Sequence, residues 1–208
     1  MVKMQGPLYS TDASGSVGKT VTLLHAKNRA IMKRHARPNN PRTDRQTPIR
    51  AAVKFLSQNW RNLTPAEKAT WGPHADLKGT APYHAYVGKN MKRWANFRPP
   101  AKEDPAAETP PAPDAPVFTA TGQFHAVKLQ IRWLAGAEAW GNIIYRSRSI
   151  LCVPNQPNVQ AIILQPGPID FAWIEYDLQP GVWFYRLQRF NPSGLLGPVS
   201  VRIGALVA

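Results

Sequence analysis

Residues 99 to 116 read PPAKEDPAAETPPAPDAP, and the seven prolines at 99, 100, 105, 110, 111, 113 and 116 limit how this chain can fold. Proline fixes φ and donates no backbone hydrogen bond, so neither a helix interior nor a central strand can run through the segment. The remaining residues are small or charged. That composition predicts a semi-rigid, extended spacer with no core of its own. It divides the 208 residues into a module at 1–98, a linker at 99–113 and a domain at 114–208.

Charge changes at the same place. Residues 1–98 hold 18 Lys and Arg against 4 Asp and Glu, which is the whole net charge of +14, while residues 99–208 hold 8 of each. A partner of opposite sign, whether nucleic acid, an acidic protein surface or an anionic membrane, is expected to meet the first half. No apolar run approaches the ~20 residues that span a bilayer, and MVKMQGPLYS lacks a signal peptide's apolar core. The expectation is a soluble protein made in the cytoplasm, with no membrane partner. The single Cys152 excludes an internal disulfide framework.

In the first half, ASGSVGKT at 13–20 matches a phosphate-binding loop with Ala13 in the first glycine's place and Gly18, Lys19 and Thr20 completing it. Such a loop works between a buried strand and a helix start. Here GPLYSTD precedes it and the β-branched VTLLHA follows, so the pattern is read as a glycine-rich arm and no nucleotide cofactor is expected. VTLLHA and RAIMKRHA flank Lys27 and Asn28, and Asn tolerates positive φ in a tight turn. These runs predict a basic β-hairpin.

After the turn-rich RPNNPRTDRQTP, in which Thr43 or Asp44 can cap, Ile49, Val53, Leu56, Trp60 and Leu63 recur at helical steps. A helix is predicted from Asp44 or Pro48 to Asn62. In LTPAEKATW, Thr64 caps, Pro65 takes the first helical position and Glu67 stands where it can return a bond to the cap, predicting a helix to Asp76–Gly79. A third helix over PYHAYVGKNMKRWANF, ending before Pro99, spaces Tyr83, Tyr86 or Val87, Asn90 or Met91, and Trp94 at helical intervals.

Beyond Pro116 the runs VFTATG, AVKLQIRWL, NIIYRSR, QAIILQ, AWIEYDL, GVWFYRLQRF and PVSVRIGAL alternate with period two between Gly, Pro, Asn and Asp. About seven strands in roughly 95 residues predict an immunoglobulin-like sandwich. Trp133 in LQIRW, Tyr145 in NIIYRS, Leu178 before a Pro-Gly turn, Tyr185, and Asn191, Gly194, Gly197, Pro198 and Ser200 in order resemble a fibronectin type III domain. The resemblance implies that fold and an adhesive, spacing or decorating role, with no catalytic residue.

Two further resemblances concern the first half. QNWRNLTPAEKATWGPHA is similar to the junction of the second and third helices of an HMG box, which would imply minor-groove DNA binding. Alternatively, Trp60, Leu63 and Trp71 form the core of a helical hairpin. The order of a Gly-Ser-Val-Gly start, a basic hairpin, NPRTxxQ at Asn40, Pro41, Arg42, Thr43 and Gln46, then FLSQNW and LTPAEKATW, resembles a family of tailed-bacteriophage virion structural proteins.

The expected fold is α+β multidomain: a basic hairpin with a three-helix module, a Pro-rich linker and a fibronectin type III-like sandwich. The phage resemblance implies a non-enzymatic virion protein assembled in the host cytoplasm. It would dock in multiple copies on the major capsid protein, or another virion protein near the capsid or head-to-tail region. Lys19, Arg29, Lys33, Arg34, Arg37, Arg42 and Arg45 are the expected partner-binding residues. DNA binding by the same half and adhesion through the sandwich are the alternatives. The five histidines show no metal-ligand spacing with Cys152, and no G-x-S-x-G elbow exists, so no catalytic, metal or cofactor site is expected.

Overall fold

The computed structural model describes residues 15–17, 21–26, 29–34, 43–106, 112–132, 138–165, 167 and 169–208. The chain forms two compact units, Met1–Pro41 and Arg42–Ala208. In the first, β1 (Gly15–Val17), β2 (Val21–Ala26) and β3 (Arg29–Arg34) make an antiparallel sheet in that order. Val21 stands opposite Arg34 and Ala26 opposite Arg29. The expected turn at Lys27 and Asn28, and Ala13, Gly18, Lys19 and Thr20 of the glycine-rich stretch, lie outside the described residues.

The second unit begins with α1 (Gln46–Asn59), continued by a 3₁₀ turn at Trp60–Asn62. Thr43 Oγ1 accepts from the Gln46 N–H at 3.3 Å, and Pro48 sits in the first turn, where its missing N–H costs nothing. The buried stripe is Pro48, Ala51, Ala52, Phe55, Leu56 and Asn59. Ile49 and Val53, expected on that face, are 51% and 39% exposed. The face is rotated because α1 packs against both the sandwich and another helix, and alanines allow that close approach.

Thr64 forms the expected capping box with Glu67, giving α2 (Pro65–Ala69). This helix does not run on to Asp76. It breaks at Thr70–Trp71, and α3 (Gly72–Asp76) restarts with Pro73 in its first turn. The break lets Trp71 turn inward, 1% exposed, with its Nε1 donating to the Lys102 carbonyl at 2.8 Å. With Leu63 also buried, the Trp and Leu of this junction are core residues. The last helix, α4 (Pro82–Ala95), buries Ala85, Tyr86, Asn90 and Trp94.

The C-terminal strands are β4 (Val117–Gln123), β5 (Ala126–Arg132), β6 (Gly141–Ser147), β7 (Val159–Leu164), β8 (Phe171–Tyr176), β9 (Gly181–Phe190), β10 (Leu196–Val199) and β11 (Ile203–Val207). They form a sheet β4-β5-β8 and a second sheet β10-β9-β6-β7, in which β11 also pairs with β9. The last expected strand is split in two at Ser200, whose Oγ accepts from the Leu187 N–H at 2.8 Å. Phe118, Val127, Leu129, Ile131, Ile144, Leu178, Tyr185 and Leu187 fill the space between the sheets. Tyr145 lies on a strand as expected, β6, and is fully buried, whereas Trp133 lies outside the described residues.

Strand periodicity sends alternate residues to the other face of the larger sheet. There Ile143, Tyr145, Val159, Ile162 and Phe190 join Phe55, Leu56, Trp71, Tyr86, Trp94 and Trp140 in one core. The Phe55 ring packs edge-on against Trp140 at 5.0 Å and Phe190 at 5.6 Å. The helices are therefore a third layer on the sandwich.

The boundary expected at the Pro-rich segment is corrected accordingly: Arg42–Ala208 is one compact unit. Pro99, Pro100 and Ala101 are buried rather than spacing two bodies apart. Their backbone groups find partners that the segment itself cannot supply. Arg93 Nε donates to the Pro99 carbonyl at 3.0 Å, and the Lys102 N–H donates to the Pro192 carbonyl at 2.8 Å. Residues 107–111, including Pro110 and Pro111, lie outside the described residues.

Candidate functional site

Of the expected contact residues, Lys33 and Arg34 are exposed on β3 of the first unit, and Arg45 is exposed at the entry to α1 in the second. Arg29 lies on β3, its side chain outside the described set, and Lys19, Arg37 and Arg42 lie wholly outside it. Three of the seven thus lie on β3, and a fourth stands at the N-cap of α1 in the other unit.

The same helix and its extension carry three further cations that were not among the expected contacts. Arg50, Lys54 and Arg61 are exposed, at spacings of four and seven residues that place them along one side of α1 and its 3₁₀ extension. No acidic residue lies within Gln46–Asn62. The available signal was the absence of acidic residues at i±4 from these cations.

Other basic residues are committed inward. Lys89 pairs with Asp104, and Lys102 lies 3.6 Å from Glu67 and 3.8 Å from Glu138. Arg93 reaches the Ser193 carbonyl at 3.0 Å as well as Pro99, and burial pulls its pKa down. These groups tie the helices to residues 99–104 and to the β9–β10 turn. The outward stripe on α1 is separate from that structural set.

Cys152 is fully buried beside the carbonyls of Tyr145 and Phe184, and burial pushes its thiol up, away from the reactive thiolate. No group of three His, Cys, Asp or Glu among the described residues is arranged to hold a metal ion. No helix among them is long and apolar enough to cross a membrane.

Two grooves adjoin at Asp44 and Pro157, which line both. One, of about 460 Å³, is lined chiefly by Pro48, Ile49, Met91, Trp94 and Ala95. The other, of about 370 Å³, is polar and opens where β6 and the β8–β9 turn end. At its inner side Arg146 ion-pairs with Glu175, which also accepts from Tyr185 Oη at 2.9 Å. The Tyr185 phenol is pushed strongly upward by burial, and further by Glu175. Both Arg146 and Arg148 lie over the Trp183 ring, 4.7 and 4.4 Å from its centroid.

No family model and no curated protein matches the chain. Among solved structures it is similar to a β-1,2-glucanase from Parabacteroides distasonis, at 13% identity and TM-score 0.38, over 46% of this chain but 13% of that one. It is also similar to a Fn3-like protein from Clostridium thermocellum, at 14% identity and TM-score 0.37, over 47% of this chain and 96% of that one. A third similarity is to the fibronectin(III)-like modules of Clostridium thermocellum CbhA, at 10% identity and TM-score 0.31, over 46% and 92% of the two chains. The C-terminal domain is a β-sandwich, with its two antiparallel sheets in the strand order given above.

Proposed function

We propose that this chain is a non-enzymatic structural protein of a tailed-bacteriophage virion. It docks through its basic N-terminal half on the major capsid protein, or on another virion protein of the capsid or head-to-tail region, and displays the sandwich in multiple copies. The observation that carries this reading is the exposed stripe of Arg50, Lys54 and Arg61 on α1 and its extension, with Arg45 exposed at the helix entry and Lys33 and Arg34 exposed on β3. Among the described residues no ion pair consumes these cations, so carboxylates on a repeated particle surface are suitable partners and would also steer association.

The test combines the protein inventory of purified virions with a charge-reversed chain, Arg50→Glu and Lys54→Glu on α1 and Lys33→Glu and Arg34→Glu on β3. The wild-type chain is expected in the particle and the reversed chain is expected to be absent from it, with an unchanged thermal midpoint. Absence of the wild type from virions, or normal incorporation of the reversed chain, overturns the proposal. The same stripe also suits DNA phosphates, and full-chain binding to duplex DNA would then weaken with salt by a logarithmic slope of about 0.9 per phosphate contacted. A full chain that binds no duplex at low salt rejects that second reading.

A further inference from the structure

The polar groove between the start of α1 and the sandwich differs in chemistry from the basic stripe. We propose that it takes a neutral carbohydrate of one or two sugar rings. Its volume of about 370 Å³ falls within the range of about 300–1,000 Å³ usual for small-molecule sites. Arg146 and Arg148 line it together with Asp44 and Asp177, so the formal charges of its walls balance. Arg146 is in addition already paired with Glu175. A net anion therefore gains little there, whereas a ligand offering both donors and acceptors meets both.

Thr47, Ser147, Asn158, Gln160 and Gln179, which also line it, carry hydroxyl or amide groups. Planar amide, carboxylate and guanidinium groups each offer two adjacent polar atoms, which match neighbouring hydroxyls on a sugar ring. Several are held in place before any ligand arrives. Arg148 lies over Trp183, whose Nε1 donates to the Gln179 carbonyl at 2.9 Å, and Asn158 Nδ2 donates to the Val153 carbonyl at 2.7 Å. Preorganisation of this kind lowers the entropy lost on binding. At the rim the Tyr176 side chain is 64% exposed, a flat apolar ring available to stack on the C–H face of a pyranose.

The full chain is screened on an array of immobilised neutral glycans. The strongest binder is then titrated into ¹⁵N-labelled protein, with inorganic phosphate and glucuronate as charged comparisons. The expected result is a neutral glycan that shifts the Trp183 indole N–H and the amides of 146–148 and 176–179. Tyr176→Ala and Arg148→Ala should each weaken it by about tenfold, equivalent to about 1.4 kcal/mol. Both side chains are exposed, so neither change opens the core. No retained neutral glycan, shifts produced only by phosphate or glucuronate, or shifts that survive both substitutions overturns the proposal.

Discussion

The side-chain amide of Asn90 in α4 pairs with both backbone groups of Ala101, its Nδ2 donating to the Ala101 carbonyl at 3.1 Å and its Oδ1 accepting from the Ala101 N–H at 2.8 Å. Both residues are buried. One side chain thus replaces the strand or helix partner that the surrounding prolines deny this segment. Asn90→Ala strands a buried N–H and a buried C=O together, and the expected loss is about 3 kcal/mol of unfolding free energy. Urea unfolding of the full chain measures it; a loss under about 1 kcal/mol would show that water substitutes readily for the amide.

The shared core sets the limits for truncation. A fragment of residues 112–208 uncovers Ile143, Tyr145, Val159, Ile162 and Phe190 on one continuous sheet face. Apolar patches above a few hundred Å² drive association. The fragment is expected to aggregate on size exclusion, while residues 43–208 elute as a discrete folded species. A monomeric, cooperatively unfolding 112–208 would contradict the shared core.

Two glycines should respond in opposite directions to alanine. Gly194 has φ +75°, and a Cβ there would meet the carbonyls of Pro99 and Pro100 at 2.7 and 2.9 Å, so Gly194→Ala is destabilising. Gly88 lies inside α4 with nothing within 4 Å of the added atom. Gly88→Ala should gain about 1 kcal/mol from helix propensity. Thermal midpoints of the two variants, measured side by side, give the comparison.

Alkaline pH should unfold the protein through its tyrosines. Burial pushes the phenols of Tyr86, Tyr145 and Tyr185 upward, in each case as the leading cause. Above about pH 10 the unfolded chain releases these protons and the folded chain keeps them. The stabilisation is complete below that pH and is lost as pH rises toward the folded values, by about 1.4 kcal/mol per pH unit for each phenol. Tyr185→Phe should flatten the alkaline slope, but at neutral pH it leaves Glu175 without that donor. Unfolding curves at several pH values above 9 test both points.

The parts legible in the sequence were those with local causes. Thr64, Pro65 and Glu67 specify a helix start within four residues, and the runs from Val117 to Leu206 carry their own period. The α1 face was misplaced because large aliphatic residues were counted as its core, whereas contact with two neighbours selected Ala51 and Ala52. The Pro-rich segment was misread because composition reports what a stretch can bury by itself. Asn90 held the missing signal, as an amide on the Tyr86–Trp94 side of α4 that demands a backbone partner. The polar groove draws on α1, β6, β7 and the β8–β9 turn, which no sequence spacing brings together.

Fixing residues 99–104 against both the helices and the β9–β10 turn also governs how the molecule can engage more than one site at once. A flexible tether would let the α1 stripe and the sandwich groove find separately placed targets, with an effective concentration set by tether length. Here both surfaces belong to one compact unit, so simultaneous engagement depends on matched target geometry. A repeating lattice with the right spacing would gain avidity from every copy, and one with the wrong spacing would gain none.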